Sequence, residues 1–228
     1  MIRTPSPNHG ARAEPGRVDL VVLHYTGMAS AAAALRRLCD PASQVSAHYL
    51  IEETGAVHRL VDEDRRAWHA GIASWQGATD INDRSIGIEL VNPGHELGYR
   101  PFPQALMAAL EALLSDILAR RAIPPARVLG HSDVAPQRKR DPGELFGWQR
   151  LAGRGLAFWP AAPGAPMAPD PRAARALLGR CGYGLDGTEA ALAAGLAAFQ
   201  RRFRPRCCDG HLDAETMGLI AAVADQMR

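Results

Sequence analysis

Three side chains able to grip a metal ion stand at or just after the ends of apolar runs in this sequence. His24 ends the run Val18-Asp19-Leu20-Val21-Val22-Leu23, His131 follows Val128-Leu129-Gly130, and Asp141 lies ten residues beyond His131. Two neutral imidazoles and one carboxylate would hold zinc through nitrogen and oxygen. They leave a fourth position for water, as in catalytic rather than structural sites, which favour cysteine. The spacing is not His-Glu-x-x-His on one helix, so a thermolysin-like site is not indicated. Taken singly, each residue also has an ordinary reading. A histidine at a strand end is often just hydrogen-bonded, and Asp141 before Pro142-Gly143 suits a turn. Glu89 sits between Ile88 and Leu90, where burying a charge is costly unless it is paired, functional or turned to solvent on an edge strand. Lys139 is the single lysine among 26 basic residues. It could equally be one more solvated charge between Arg138 and Arg140. His9, His58, His95 and His211 lack supporting neighbours and read as ordinary histidines.

The elements that must position these groups follow from the apolar pattern. Val18–Leu23, Ala47–Ile51, Val57–Leu60 and Ser85–Val91 read as short strands, the second and third joined by a glycine-containing turn into a hairpin. Val128–Gly130 leads into His131. Leu106, Leu110, Leu113, Leu114, Ile117 and Leu118 recur at helical spacing within Gln104–Arg120. Alternating strands and helices predict an α/β domain over about residues 15–155. Residues 160–171 hold five prolines in twelve positions, which predicts a semi-rigid linker. Beyond it, Arg172–Gly179, Thr188–Phe203 and Asp213–Ala224 are expected to form a small three-helix domain. The expected organisation is therefore 1–159, a linker at 160–171, and 172–228.

Composition excludes several classes. With 228 residues, 47% hydrophobic and 22% charged, the chain is neither disordered nor fibrous. A net charge of +2 gives no electrostatic footprint for nucleic acid, and no apolar run approaches the ~18 residues that span a bilayer. Cys39, Cys181, Cys207 and Cys208 form no Cys-x-x-Cys pair, so no disulfide framework is indicated. The first residues lack a secretory apolar stretch, which favours a cytoplasmic location.

Five blocks, in order, carry a resemblance. They are Val22-Leu23-His24-Tyr25-Thr26, Ser46-Ala47-His48-Tyr49-Leu50-Ile51, Trp68-His69-Ala70-Gly71, Asn82-Asp83-Arg84-Ser85-Ile86-Gly87-Ile88-Glu89-Leu90, and Gly130-His131-Ser132-Asp133 through Lys139-Arg140-Asp141-Pro142-Gly143. Over about residues 17–150 the chain resembles the zinc-dependent N-acetylmuramoyl-L-alanine amidases, which share the peptidoglycan-recognition fold. The resemblance implies a mixed central β-sheet flanked by helices, zinc held by His24, His131 and Asp141, and Glu89 and Lys139 as catalytic groups. The implied reaction cleaves the amide between N-acetylmuramic acid, or its anhydro form, and L-alanine. The last ~60 residues are similar to peptidoglycan-binding three-helix domains through Leu196-Ala197-Ala198-Phe199-Gln200 and Asp209-Gly210…Thr216. Trp68 and His69, with Asn82, are expected to line the substrate cleft, and His48 and Tyr49 to support the zinc site or the core. The implied partners are peptidoglycan or soluble anhydro-muropeptides. A wall-binding module would favour the periplasm over the cytoplasm. Rival readings are a non-catalytic muropeptide-binding module and a zinc amidohydrolase of another amide.

Overall fold

The computed structural model describes residues 1–14 and 16–227. Pro15 and Arg228, which fall within the expected first and last regions, lie outside the described residues. The strands are β1 (Ile2–Arg3), β2 (His9–Ala11), β3 (Leu20–Tyr25), β4 (Tyr49–Ile51), β5 (Val57–Arg59), β6 (Arg65–Ala67), β7 (Ser85–Leu90) and β8 (Val128–Gly130). The helices are α1 (Ala31–Cys39), α2 (Ile81–Arg84), α3 (Gly94–Leu97), α4 (Gln104–Arg121), α5 (His131–Val134), α6 (Trp148–Ala152), α7 (Pro171–Cys181), α8 (Glu189–Phe203) and α9 (Ala214–Gln226).

Six strands form one mixed sheet in the order β1-β5-β4-β7-β3-β8, and β2 pairs with β6 apart from it. β3 lies parallel to both β7 and β8, while β4 and β5 make the expected antiparallel hairpin. Gly55 turns that hairpin with φ +87°, a conformation that glycine adopts without steric cost. β3 is covered on both faces, which is why it reads as an unbroken apolar run rather than an alternating one. Val21 and Leu23 point into a core shared with Leu106, Leu110 and Leu114 of α4. Leu20 and Val22 face the other way, into a core that includes Leu178, Leu196 and Phe199 of the C-terminal helices. His24 continues this second set, so strand alternation places it on the face away from α4.

The C-terminal helices begin where their caps dictate. Asp170 accepts from the backbone N–H of Arg172 and Ala173, Thr188 from Ala191, and Asp213 from Thr216. The proline-rich segment between the two regions is docked rather than loose. Met167 N–H donates to Ala214 O at 2.9 Å, and Ala161 N–H to Gln226 Oε1 at 2.8 Å. No helix among the described residues is long and apolar enough to cross a membrane.

Candidate active site

The register of the sheet assembles the centre. His24 pairs with Glu89 across β3 and β7, which puts both side chains on one face. β8 runs beside β3 and delivers His131 as the first residue of α5. Ser132 N–H then donates to the carbonyl of Asp141 at 2.9 Å, drawing the 141 loop against the α5 turn. As a result His24 Nδ1, His131 Nδ1 and Asp141 Oδ2 lie within 2.9–3.0 Å of one another, all three residues being buried.

Following the protons shows what this arrangement lacks. His131 Nε2 lies 3.0 Å from the carbonyl of Ala70, which can only accept, so the ring carries its proton there. Ser85 Oγ–H donates to Ile81 O at 2.6 Å, leaving its oxygen to accept from His69 Nε2 at 3.2 Å. His69 Nδ1 is then bare and accepts from His24 Nε2–H at 3.0 Å. Both Nδ1 atoms therefore turn lone pairs toward the Asp141 carboxylate. Three acceptors converge with no donor among them, an arrangement that a cation satisfies. The donor set is the nitrogen and oxygen mixture that zinc takes, and each imidazole is oriented by a hydrogen bond from its other nitrogen. Burial first, and then the neighbouring His131, lower the His24 pKa to about 4, which keeps the ring neutral as a ligand must be.

A cleft of about 460 Å³ opens over these atoms, with Glu89, Lys139, Trp68 and His69 among its lining. Glu89 Oε2 is buried without a hydrogen-bond partner. Burial, followed by the charge of Asp141, raises its pKa well above the ordinary carboxylate value, while Lys139 opposes the shift. Trp68 is half-buried, and with Leu38 and Val45 gives part of the cleft an apolar wall.

Asn82 does not line this cleft. Its Oδ1 accepts from the backbone N–H of His69 at 3.0 Å and of Ala70 at 2.8 Å, so the buried amide braces the loop from beneath. His69 reaches the cleft, but both of its ring nitrogens are engaged, one of them in orienting His24. His48, expected to support the zinc site or the core, is fully buried and touches none of the three converging residues. Gly87 N–H donates to its Nδ1, and its Nε2 faces the Arg65 carbonyl. Burial and the neighbouring Arg12 lower its pKa to about 3. Sequence reading missed Arg12, which is buried and donates to the carbonyls of Glu63, Asn82, Asp83 and Ser85. His95, read from the sequence as an ordinary histidine, has its Nδ1 accepting from Tyr25 Oη–H at 2.9 Å while its Nε2 faces Glu144 at 3.1 Å. Neither residue carries a local spacing signal, because their partners are distant in the chain.

Two imidazoles, a carboxylate, an unpartnered glutamate oxygen and a lysine, brought to one open cleft by β3, β7, the start of α5 and the loop after it, define a hydrolytic enzyme with a candidate metal centre. Residues 14–144, more than half of the sequence, match one family, and the chain is a member of it: the N-acetylmuramoyl-L-alanine amidases. It is 40% identical to the amidase AmiD of Escherichia coli, over 95% of this chain and 86% of that protein. The structure of AmiD, in complex with anhydro-N-acetylmuramic acid-L-Ala-D-γ-Glu-L-Lys, superposes with a TM-score of 0.85, covering 95% of this chain and 92% of AmiD. AmpDh3 of Pseudomonas aeruginosa, in complex with anhydromuramic pentapeptide, is 32% identical with a TM-score of 0.81, covering 92% of each chain. The 1,6-anhydro-N-acetylmuramyl-L-alanine amidase AmpD of Haemophilus influenzae is 33% identical over 64% of this chain and 86% of its own length. The reaction is hydrolysis of the amide joining N-acetylmuramic acid to the L-alanine of the stem peptide, in peptidoglycan turnover.

Proposed function

We propose that His24, His131 and Asp141 hold zinc, that Glu89 and Lys139 are the catalytic groups, and that soluble anhydro-muropeptides are the substrate. The observation that carries the metal assignment is the convergence of three proton-free acceptors on one point. Zinc supplies a Lewis acid for the scissile carbonyl and makes water a better nucleophile near neutral pH. Amide hydrolysis also needs a proton moved from the attacking water to the departing nitrogen. Glu89 suits that task, because Oε2 has no other partner and burial favours its protonated form between the two transfers. The Lys139 ammonium lines the same cleft and supplies a point charge for the oxygen that becomes negative. A planar guanidinium fits such a role poorly, which sets Lys139 apart from its arginine neighbours. The Trp68 wall offers an apolar face to the sugar or the stem.

The anhydro-muropeptides named with AmiD, AmpDh3 and AmpD support the soluble substrate. A second reading rests on the likeness of residues 172–228 to wall-binding helical domains. In that reading the enzyme works on intact sacculi in the periplasm rather than on fragments in the cytoplasm. The test is mass spectrometry of products from zinc-loaded and chelator-treated protein, with sacculi and soluble anhydro-muropeptides offered in parallel. Zinc-dependent release of peptides beginning with L-alanine from the soluble fragments is the expected result. Release from sacculi alone would favour the second reading. Bound zinc with no cleavage of either substrate would leave a muropeptide-binding module.

A further inference from the structure

We infer that the C-terminal three-helix unit is a working part of the catalytic centre, with Arg202 and Tyr183 as positioning residues that act through Asp133 on His131. The inference rests on the metal role proposed for His131. Asp133 lies two residues after His131 and is 1% exposed. Its Oδ2 accepts from the Gly130 N–H at 2.8 Å, which closes the turn that aims His131. The remaining capacity of this buried carboxylate is filled from the C-terminal unit. Arg202 Nη1 of α8 donates to Oδ2 at 2.7 Å, and the Tyr183 hydroxyl donates to Oδ1 at 2.7 Å.

Both donors are themselves fixed. Arg202 is 3% exposed, and its guanidinium lies 4.0 Å over the Trp148 ring. Tyr183 meets Trp75 edge-on at 5.2 Å. A buried charge is tolerated only when paired and hydrogen-bonded. Without Arg202, Asp133 has to find water or another donor by moving the turn that carries His131.

A second route reaches the same histidine. Gln76 N–H donates to Gly182 O at 2.9 Å, and Ser74 N–H to Val134 O at 2.8 Å. The segment just after Ala70, whose carbonyl accepts from His131 Nε2–H, is thereby tied both to the C-terminal unit and to α5. The linker packs closely on the unit it leads into, since a Cβ at Gly218 of α9 would overlap Ala165. A module that only tethered polymer would need neither the buried ion pair nor this packing.

The test measures the zinc dissociation constant of the full-length protein by competition with a chromophoric chelator. The variants are Arg202→Met, Tyr183→Phe and, as control, Arg204→Met. Arg204 pairs with Asp213 and Glu215 inside the C-terminal unit, so its loss weakens the helices without touching Asp133. Arg202→Met is expected to weaken zinc binding by about 10- to 100-fold, the usual range for partners that orient a ligand. Arg204→Met should stay within about twofold of wild type on the same scale. If Arg202→Met does not fold, Tyr183→Phe carries the test, losing one hydrogen bond and about three- to tenfold in affinity. Equal shifts for Arg202→Met and Arg204→Met would reduce the role to general stability and overturn the inference. So would an unchanged constant in Arg202→Met, or in Tyr183→Phe where that variant carries the test. A wild type that binds no zinc overturns the metal assignment itself, a different failure from a wild type whose zinc is indifferent to Arg202.

Discussion

Gly87→Ala isolates the contribution of His69 without altering any proposed ligand. Gly87 lies in β7 opposite Val22, and its backbone is not among the positive-φ positions, so alanine fits the chain conformation. The obstacle is the imidazole laid across it. A Cβ at Gly87 would meet Cγ of His69, and would lie 2.5 Å from Cδ2 and 2.7 Å from Nδ1. Ordinary carbon contacts begin near 3.5 Å, so the ring must retreat by about 1 Å. The His24 Nε2–His69 Nδ1 hydrogen bond starts at 3.0 Å and does not survive that displacement. His24 then loses the partner that fixes its bare nitrogen toward Asp141. The expected loss is about 10- to 100-fold in zinc affinity, or about 1.4–2.7 kcal/mol, with overpacking costing about 1–3 kcal/mol of stability. Chelator competition and thermal unfolding read the two effects separately. Adding His69→Ala removes the overlap, so the double variant should regain stability relative to Gly87→Ala but not zinc affinity. If Gly87→Ala binds zinc like wild type, the orienting role of His69 is wrong.

Glu89→Gln should keep zinc and lose about 10²–10⁴ in kcat, because the amide cannot carry the proton; near-wild-type turnover would remove Glu89 from the mechanism. Lys139→Arg should also bind zinc normally while losing about 10²–10³ in rate on a soluble muropeptide, and an active variant would end the proposed role. Acid stability tests a site far from the chemistry. Burial works to raise the Glu63 pKa, but hydrogen bonds from Arg120, Tyr49 and Arg121 overcome it and hold the group at about 2. The folded value lies below the unfolded one, so this stabilisation is complete above the unfolded pKa and fades as pH falls toward 2. Glu63→Gln should therefore lower the melting temperature at neutral pH and flatten its decline below about pH 4.5. Equal acid slopes in the two proteins would exclude Glu63 as a source of that decline.

The elements legible in the sequence are those whose burial is strong enough to write a pattern. β3 is apolar from Leu20 to Leu23 and β7 carries Ile86, Ile88 and Leu90 because both faces are covered, and α4 repeats leucine toward one face. β2 and β6 were not legible. His-Gly-Ala and Arg-Arg-Ala have no strand character of their own and become strands only by pairing with each other. α1 escaped notice because its apolar face is mostly alanine, with Leu38 and Ala34 the buried members. The prolines at 160–171 rule out regular structure there, but composition does not tell whether such a segment swings free or packs. That depends on Gly218, which leaves room for Ala165 to lie against α9.

The site divides in the same way. Residue type and position make His24 and His131, at strand ends, and Asp141, in the loop beyond, candidate ligands, since few side chains bind a cation and parallel strands gather their carboxyl ends; it is the family resemblance that joins the three into one set. Which nitrogen of each ring is bare is not written in the residue itself. It is set by the Ala70 carbonyl for His131 and by the chain from Ile81 through Ser85 and His69 for His24. The bracing position of Asn82 is hidden for the same reason, because its amide looks available until the His69 and Ala70 N–H groups are seen to occupy its oxygen. Residue types and a family resemblance can name a candidate ligand set, but only the groups behind it aim the lone pairs. The 68–71 loop and α5 therefore matter to the proposed metal site as much as its proposed ligands do, and α5 is where the C-terminal helices make their buried ion pair.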